Sequence, residues 1–92
     1  MVAGGASVHG SNAIFDRKLD SHGKPNSRSD RYRNGIKVQS RWYDSNGKAV
    51  RNRDYKHGGN VKFPHDHLWT WNGDEGTRGE EHLSPDFSNY KD

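Results

Sequence analysis

Two turn signals divide the middle of this 92-residue chain into short segments. Asn34-Gly35 and Ser45-Asn46-Gly47 lie a strand length apart in "RYRNGIKVQSRWYDSNGKAVRNRDY". Asn and Gly take the positive φ angles of tight hairpin turns at little cost. Between the turns, residues alternate with the period of a half-buried strand, and Ile36, Val38 and Trp42 share one side. The pattern predicts a three-stranded antiparallel meander.

The alternation continues beyond the second turn. Residues 48–55 are predicted to form the third strand, which leaves the meander with one apolar face and one basic face. The predicted basic face carries Lys37, Arg41, Arg51 and Arg53. "HDHLWTW" at 65–71 alternates again and predicts a fourth strand, with its two histidines and two tryptophans on one side. The predicted fold class is mainly β, an antiparallel meander of three to four strands with irregular termini, with a small α+β fold as the alternative.

The whole chain is poor in apolar residues, which make up 27% of the sequence, against roughly 45–50% in an average globular domain. We expect a small core, helped by a partner, a metal or a larger parent protein. Residues 1–12, rich in Gly and Ser, are predicted to be a flexible N-terminal segment, and 13–92 a single small domain in which 20–29 is a loop. With no cysteine, disulfides and thiolate zinc sites are excluded.

Charge is distributed unevenly along the chain. Residues 16–62 contain 13 Lys and Arg against 5 Asp and Glu, whereas residues 63–92 contain 2 against 7. A basic middle is typical of a polyanion binder, but the acidic tail can equally fold back and pair with the arginines. No apolar run is long enough to span a membrane, so no membrane partner is predicted. The sequence does not indicate an oligomeric state.

Three histidines lie within the fourteen residues "DYKHGGNVKFPHDH". One interpretation is zinc binding through His57, His65 and His67, because a His-x-His pair on a strand points both imidazoles the same way. Asp54 or Asp66 could complete such a site. A second interpretation is acid–base catalysis, and a third is that the histidines merely cap turns or pair with aspartates in a polar loop.

The basic strand that directly precedes the histidines favours the second interpretation, acid–base cleavage of RNA. Attack by the 2′-hydroxyl of RNA needs a base, an acid and cations at the phosphate, and no cofactor. The predicted catalytic residues are His57, His65, His67 and Asp54. The predicted phosphate-binding residues are Arg51, Arg53, Lys56, Arg41 and Lys37, and Tyr55 and Trp69 are predicted to stack on bases.

An ordered series of short motifs runs from Gln39 to Trp71. The motifs are Arg41-Trp42-Tyr43-Asp44, Asn46-Gly47-Lys48, Arg51 through Tyr55, His57-Gly58, Pro64-His65-Asp66-His67 and Trp69. In this order they resemble a module at the C-terminal ends of bacterial polymorphic toxins, which also occurs on phage-associated head proteins. The resemblance covers about a third of the chain and leaves out residues 1–30 and the acidic tail.

Many toxin modules of this size are metal-independent ribonucleases. The resemblance therefore implies a ribonuclease toxin domain that cleaves tRNA or rRNA in the cytoplasm of a target or host bacterial cell. It also implies delivery as part of a larger secreted protein and neutralisation by a cognate immunity protein. The phage-associated relatives imply an alternative, a non-catalytic protein of a phage or mobile element that binds a host protein or nucleic acid. Its histidines would be structural or zinc-binding.

Overall fold

The chain forms one sheet whose six strands lie in sequence order. The computed structural model describes residues 11–55 and 63–92. The strands are β1 (Ser11–Phe15), β2 (Arg28–Arg33), β3 (Ile36–Tyr43), β4 (Ala49–Asp54), β5 (His65–Asn72) and β6 (Glu75–Arg78). Strands β1 and β2 are parallel, and all other neighbours are antiparallel. The prediction of a mainly β fold is confirmed.

The predicted meander corresponds to β2, β3 and β4, and the predicted fourth strand to β5. Asn34 and Gly35 have φ angles of 50° and 79°, which suit the two-residue turn between β2 and β3. In the next turn, Asp44 Oδ1 accepts hydrogen bonds from the N–H groups of Asn46 (2.8 Å) and Lys48 (2.9 Å). Both turns therefore form where the sequence predicts them.

Strands β1 and β6 were not predicted from the sequence. β1 begins at Ser11, within the segment 1–12 predicted to be flexible, and β2 begins at Arg28, within the predicted loop 20–29. Because β1 and β2 are parallel, the chain between them crosses one face of the sheet, where Leu19 is buried. Nothing in the described residues is a helix long and apolar enough to cross a bilayer.

Two irregularities in strand pairing decide which side chains share a face. The register shifts by one residue at Val38 in β3 and again at Val50 in β4. One face, the tail face, carries Ser40, Trp42, Arg51, Arg53 and Asp66. The other, the histidine face, carries Arg41, Asn52, Asp54, His65 and His67, as the cross-strand pairs require.

The prediction of a common basic face was wrong. Arg41 pairs across the sheet with Asn52 and points away from Arg51 and Arg53. Lys37 lies on the tail face, with its Nζ 4.8 Å from the centre of the Tyr55 ring, because the bulge at Val38 reverses the alternation between residues 37 and 39.

The core is mostly polar, as the low apolar content requires. Among the described residues, the buried apolar side chains are Leu19, Trp42, Tyr43 and Ala49. The largest fully buried side chains are instead Arg53, Asn52, Asp66 and Ser40. Buried polar groups are tolerated only when they are hydrogen-bonded, so the fold depends on the partners described below.

Residues 86–92 of the acidic tail return to the tail face. Arg53 donates hydrogen bonds to the carbonyl oxygens of Tyr90 (2.6 Å) and Asp86 (3.2 Å) and pairs with Asp92 (3.2 Å). The Tyr90 ring meets Trp42 edge-on at 5.6 Å. The acidic tail therefore neutralises part of the basic middle, the alternative that the charge pattern had left open.

Candidate functional site

The two arginines predicted to hold phosphate lie on the tail face, away from the histidines. Both Arg51 and Arg53 pair with Asp66, at 2.7 and 2.8 Å. The side chain of Arg53 is 0% exposed. Their predicted position beside the histidines is therefore wrong, because strand alternation puts them behind the sheet and the tail covers them.

The predicted stacking residues are divided between the two faces. Tyr55 lies on the tail face, where its hydroxyl donates to Asp92 and lies 3.2 Å from Ser40 Oγ. Burial and the bond to Asp92 raise the pKa of Tyr55. Trp69 lies on the histidine face. The predictions for Lys56 and His57 fall outside the described residues.

His65 and His67 lie side by side on β5, opposite Asp54 on β4. They are 3% and 2% exposed. Asp54 Oδ2 lies 3.4 Å from His65 Nε2 and 3.2 Å from His67 Nε2. The other carboxylate oxygen, Oδ1, accepts a hydrogen bond from Gln39 at 2.8 Å. Three of the four predicted catalytic residues are thus brought together by the β4–β5 register.

A third histidine, His82, completes the cluster at its exposed edge. The ring centroids of His65, His67 and His82 are 4.4–5.0 Å apart. One nitrogen from each ring lies within 4.8 Å of the others. Leu83 places His82 there by pairing with Asp66 through two backbone hydrogen bonds of 2.8 and 2.9 Å. Sequence reasoning missed His82, because no local spacing links it to a pair fifteen residues earlier.

The hydrogen bonds of His67 fix which of its nitrogens carries a proton. His67 Nδ1 lies 2.8 Å from the carbonyl oxygen of Gly79. A carbonyl can only accept, so Nδ1 is the protonated nitrogen. Burial lowers the pKa of His67, and this effect outweighs the opposing influence of Gly79 and Asp54. The ring is therefore neutral near pH 7, with the Nε2 lone pair directed toward Asp54.

A basic groove of about 300 Å³ opens beside the cluster on the histidine face. It is lined by Lys18, Leu19, Arg31, Gln39, Arg41, Trp69 and Arg78. Gln39 is shared, because it lines the groove and also binds Asp54. Within the ranges 11–55 and 63–92, none of the four cations of the groove forms an ion pair.

Arg41 is the fixed cation of this groove. Its guanidinium donates to Asn52 Oδ1 (2.6 Å) and to the carbonyl oxygens of Leu19 and Asp20 (2.8 and 3.0 Å). It also lies 4.8 Å from the centre of the Trp69 ring. Burial lowers the pKa of Arg41, but an arginine stays charged in such a site. The carbonyl bonds hold this charge in place without neutralising it.

No protein-family model, curated protein or solved structure matches this chain.

Proposed function

We propose that this chain is an endoribonuclease-type domain that binds the phosphates of RNA in the basic groove and cleaves at the histidine cluster. One observation carries the proposal: four cations that form no ion pair with any described residue share one face of the sheet with three histidines, and Gln39 lies between them. Phosphodiester cleavage requires cations at the phosphate and proton-transferring groups beside it. The histidine face has both, whereas the arginines of the tail face are engaged with carboxylates.

The proposed substrate is single-stranded or looped RNA. The groove combines two exposed cations, Lys18 and Arg78, with the buried guanidinium of Arg41 and the aromatic surface of Trp69. Cations that follow the backbone and aromatic rings that contact bases are the usual elements of single-strand recognition. Of the predicted RNA-binding residues, Arg41 and Trp69 keep this role in the proposal.

Within the cluster, His82 is the residue that contacts the substrate, because it is the exposed member. In the metal-independent mechanism, an imidazole takes the proton of the 2′-hydroxyl, the 2′-oxygen attacks phosphorus, and the bond to the 5′-oxygen breaks as that oxygen is protonated. His67 is positioned by Gly79, and Asp54 balances the positive charge that develops on the rings.

The proposed biological role is that of a toxin domain. The motifs between Gln39 and Trp71 support it through their resemblance to polymorphic-toxin modules. In that role the domain would act on tRNA or rRNA in the cytoplasm of a target cell. An immunity protein would be expected to present acidic residues to the basic groove, since charge complementarity speeds and orients association.

A second candidate is favoured by the burial of His65 and His67. At 3% and 2% exposure, these rings contribute to the interior of a chain with few apolar residues. A non-catalytic phage or mobile-element protein would use them to stabilise its fold and would bind nucleic acid or a host protein through the same groove.

Incubation of the untagged chain with a labelled single-stranded RNA distinguishes the two candidates. The proposal expects cleavage of RNA to products ending in a 2′,3′-cyclic phosphate, and no cleavage of the matching DNA, which lacks the 2′-hydroxyl. His82→Ala should lower the rate by about 10²–10⁴-fold, and Arg78→Ala should weaken RNA binding.

The matched controls are His22→Ala and Arg33→Ala, which change an exposed histidine and an exposed arginine outside the cluster and the groove. Each reaction is run with EDTA and with added Zn²⁺. RNA that is bound but left intact under both conditions would favour the second candidate and overturn the nuclease proposal.

A further inference from the structure

Three imidazoles converge at one point of the histidine face, and their chemistry identifies a ligand. One nitrogen of each of His65, His67 and His82 lies within 4.8 Å of the other two. In a tetrahedral site with Zn–N bonds of about 2.0–2.1 Å, ligand nitrogens are roughly 3.4 Å apart. Small side-chain rotations would therefore bring all three onto one ion, and His82, at the exposed edge, has the freedom to make them.

The arrangement around His67 directs a ring nitrogen and a carboxylate oxygen to the same place. Its Nδ1–H donates to the carbonyl oxygen of Gly79, which leaves Nε2 as the nitrogen available to a ligand. That nitrogen lies 3.2 Å from Asp54 Oδ2. Imidazole nitrogen and carboxylate oxygen are both ligand atoms that Zn²⁺ accepts in proteins.

The surroundings of the cluster match those of metal ligands in proteins. Histidines that bind metals usually donate their second ring N–H to a carbonyl or carboxylate, which fixes the tautomer and the orientation of the ring. Gly79 does this for His67. Gln39 orients Asp54 in the same manner by donating to Oδ1, which leaves Oδ2 facing the two buried imidazoles.

We infer that His65, His67 and His82 bind one Zn²⁺ ion, with the Asp54 carboxylate beside it. Three imidazole nitrogens form a donor set that Zn²⁺ accepts where cysteine is absent. With these three protein ligands, the exposed side of His82 leaves the fourth position toward solvent, as in catalytic rather than structural zinc sites. The inference rests on the site of the proposed nuclease activity. While Zn²⁺ is bound the three histidines serve as ligands, so the metal-independent proton transfers belong to the ion-free chain. Binding of Zn²⁺ can be measured without RNA.

This ligand set differs from the zinc site that the sequence predicted. That prediction joined His65 and His67 to His57, which lies outside the described residues. The described residues instead place His82 beside the pair. The two assignments are separated by changing one histidine at a time.

The test measures Zn²⁺ binding by the untagged, full-length chain after dialysis against EDTA. The variants are His82→Ala, His67→Ala, His57→Ala and His22→Ala, each checked for a cooperative thermal transition. We expect the wild type, His57→Ala and His22→Ala to bind one Zn²⁺ per chain, and His82→Ala to bind at least about tenfold more weakly. Co²⁺ in place of Zn²⁺ should give an absorption spectrum that reports its ligands. Compared with the wild type, this spectrum should change in His82→Ala and stay the same in His57→Ala and His22→Ala.

Two results would overturn the inference. One is a wild-type chain that binds no Zn²⁺ at micromolar concentration. The other is equal affinity and an unchanged Co²⁺ spectrum in His82→Ala, with loss of binding in His57→Ala. Because His82 is exposed, its alanine variant should fold even if His67→Ala does not. A chain that binds Zn²⁺ but does not cleave RNA would support this inference and refute the nuclease proposal. A chain that has no affinity for Zn²⁺ and still cleaves RNA in EDTA would refute this inference and support the nuclease proposal.

Discussion

Arg53 and Asp66 form a fully buried ion pair between the neighbouring strands β4 and β5. Arg53 Nε donates to Asp66 Oδ1 at 2.8 Å, and Arg53 Nη2 donates to Oδ2 at 3.0 Å. Both side chains are 0% exposed. Because this bidentate pair occupies the place that an aliphatic cluster fills in most domains, the stability of the chain depends on both partners being present.

Asp66→Asn should be strongly destabilising. The substitution keeps the shape of the side chain but leaves the buried Arg53 charge without its main partner, and such losses cost about 3–5 kcal/mol. Urea denaturation should show this decrease in unfolding free energy, or loss of the cooperative transition. Asp74→Asn, at an exposed position, should change stability by no more than about 0.5 kcal/mol. If both variants unfolded at the same urea concentration, the pair would not have its assigned role.

Removal of the Tyr90 ring should loosen the tail. Tyr90 packs edge-on against Trp42 and lies 5.0 Å from the Arg51 guanidinium. Tyr90→Ala should therefore lower the unfolding free energy by about 1–2 kcal/mol, since half-buried aromatic contacts of this kind are lost. It should also shift the Trp fluorescence to longer wavelength as water reaches Trp42. Lys91→Ala, an exposed change at the next position, serves as the control and should leave both quantities unchanged.

Acid should weaken the attachment of the tail through Asp92. Burial alone would raise the pKa of Asp92, but hydrogen bonds from Tyr55 and Arg53 outweigh it and lower the pKa below its ordinary value. A carboxyl whose pKa is depressed in the folded chain adds stability above its unfolded value near 3.8, and this stability is lost as the pH falls through the folded value.

Thermal melts of the wild type and Asp92→Asn at several pH values test this contribution. The difference in melting temperature should be largest at neutral pH and should shrink as the pH falls below about 4. The pKa of Asp86 is also lowered. Because Asp86 is present in both proteins, its titration cancels in the difference between their melting temperatures. A difference that stayed constant between neutral and acid pH would show that Asp92 contributes no stabilising charge.

Gln39→Leu should weaken Zn²⁺ binding without unfolding the chain. Gln39 donates to Asp54 Oδ1, and loss of an outer-shell bond of this kind typically costs 10–100-fold in metal affinity. Competition with a chromophoric chelator measures the affinity. The unfolding free energy of the metal-free chain, measured by urea denaturation, should change by less than about 1 kcal/mol. Thr70→Ala, at an exposed position on β5, is the control. Equal Zn²⁺ affinity in all three proteins would contradict a positioning role for Gln39.

Much of the sheet could be predicted because its signals are local. Asn34-Gly35 and the turn at Gly47 form the hairpins that their φ preferences require. The alternation in 65–71 correctly placed His65 and His67 on one side of β5, together with Trp69. Strands β1 and β6 were not predicted, because they are short edge segments, and parallel pairing of β1 with β2 gives no local pattern.

The face on which each basic residue lies could not be predicted from alternation. A bulge of one residue at Val38 reverses the side on which Lys37 points, and the turn sequence contains no sign of it. The predicted position of Arg51 and Arg53 beside the histidines was wrong for a related reason. Their partners Asp66 and Asp92 are distant in sequence, and only the pairing of β4 with β5 and the returning tail bring them together.

By itself, the sequence determined a β-rich chain with two tight turns, a polar interior and a pair of histidines on one strand. These features depend on backbone preferences and on a side-chain period of two, both of which act within a few residues. Only the tertiary structure decided that His82 joins the pair, that the tail neutralises the arginines and that a basic groove lies beside Asp54. Those relationships depend on contacts between residues far apart in the chain, which no local pattern encodes.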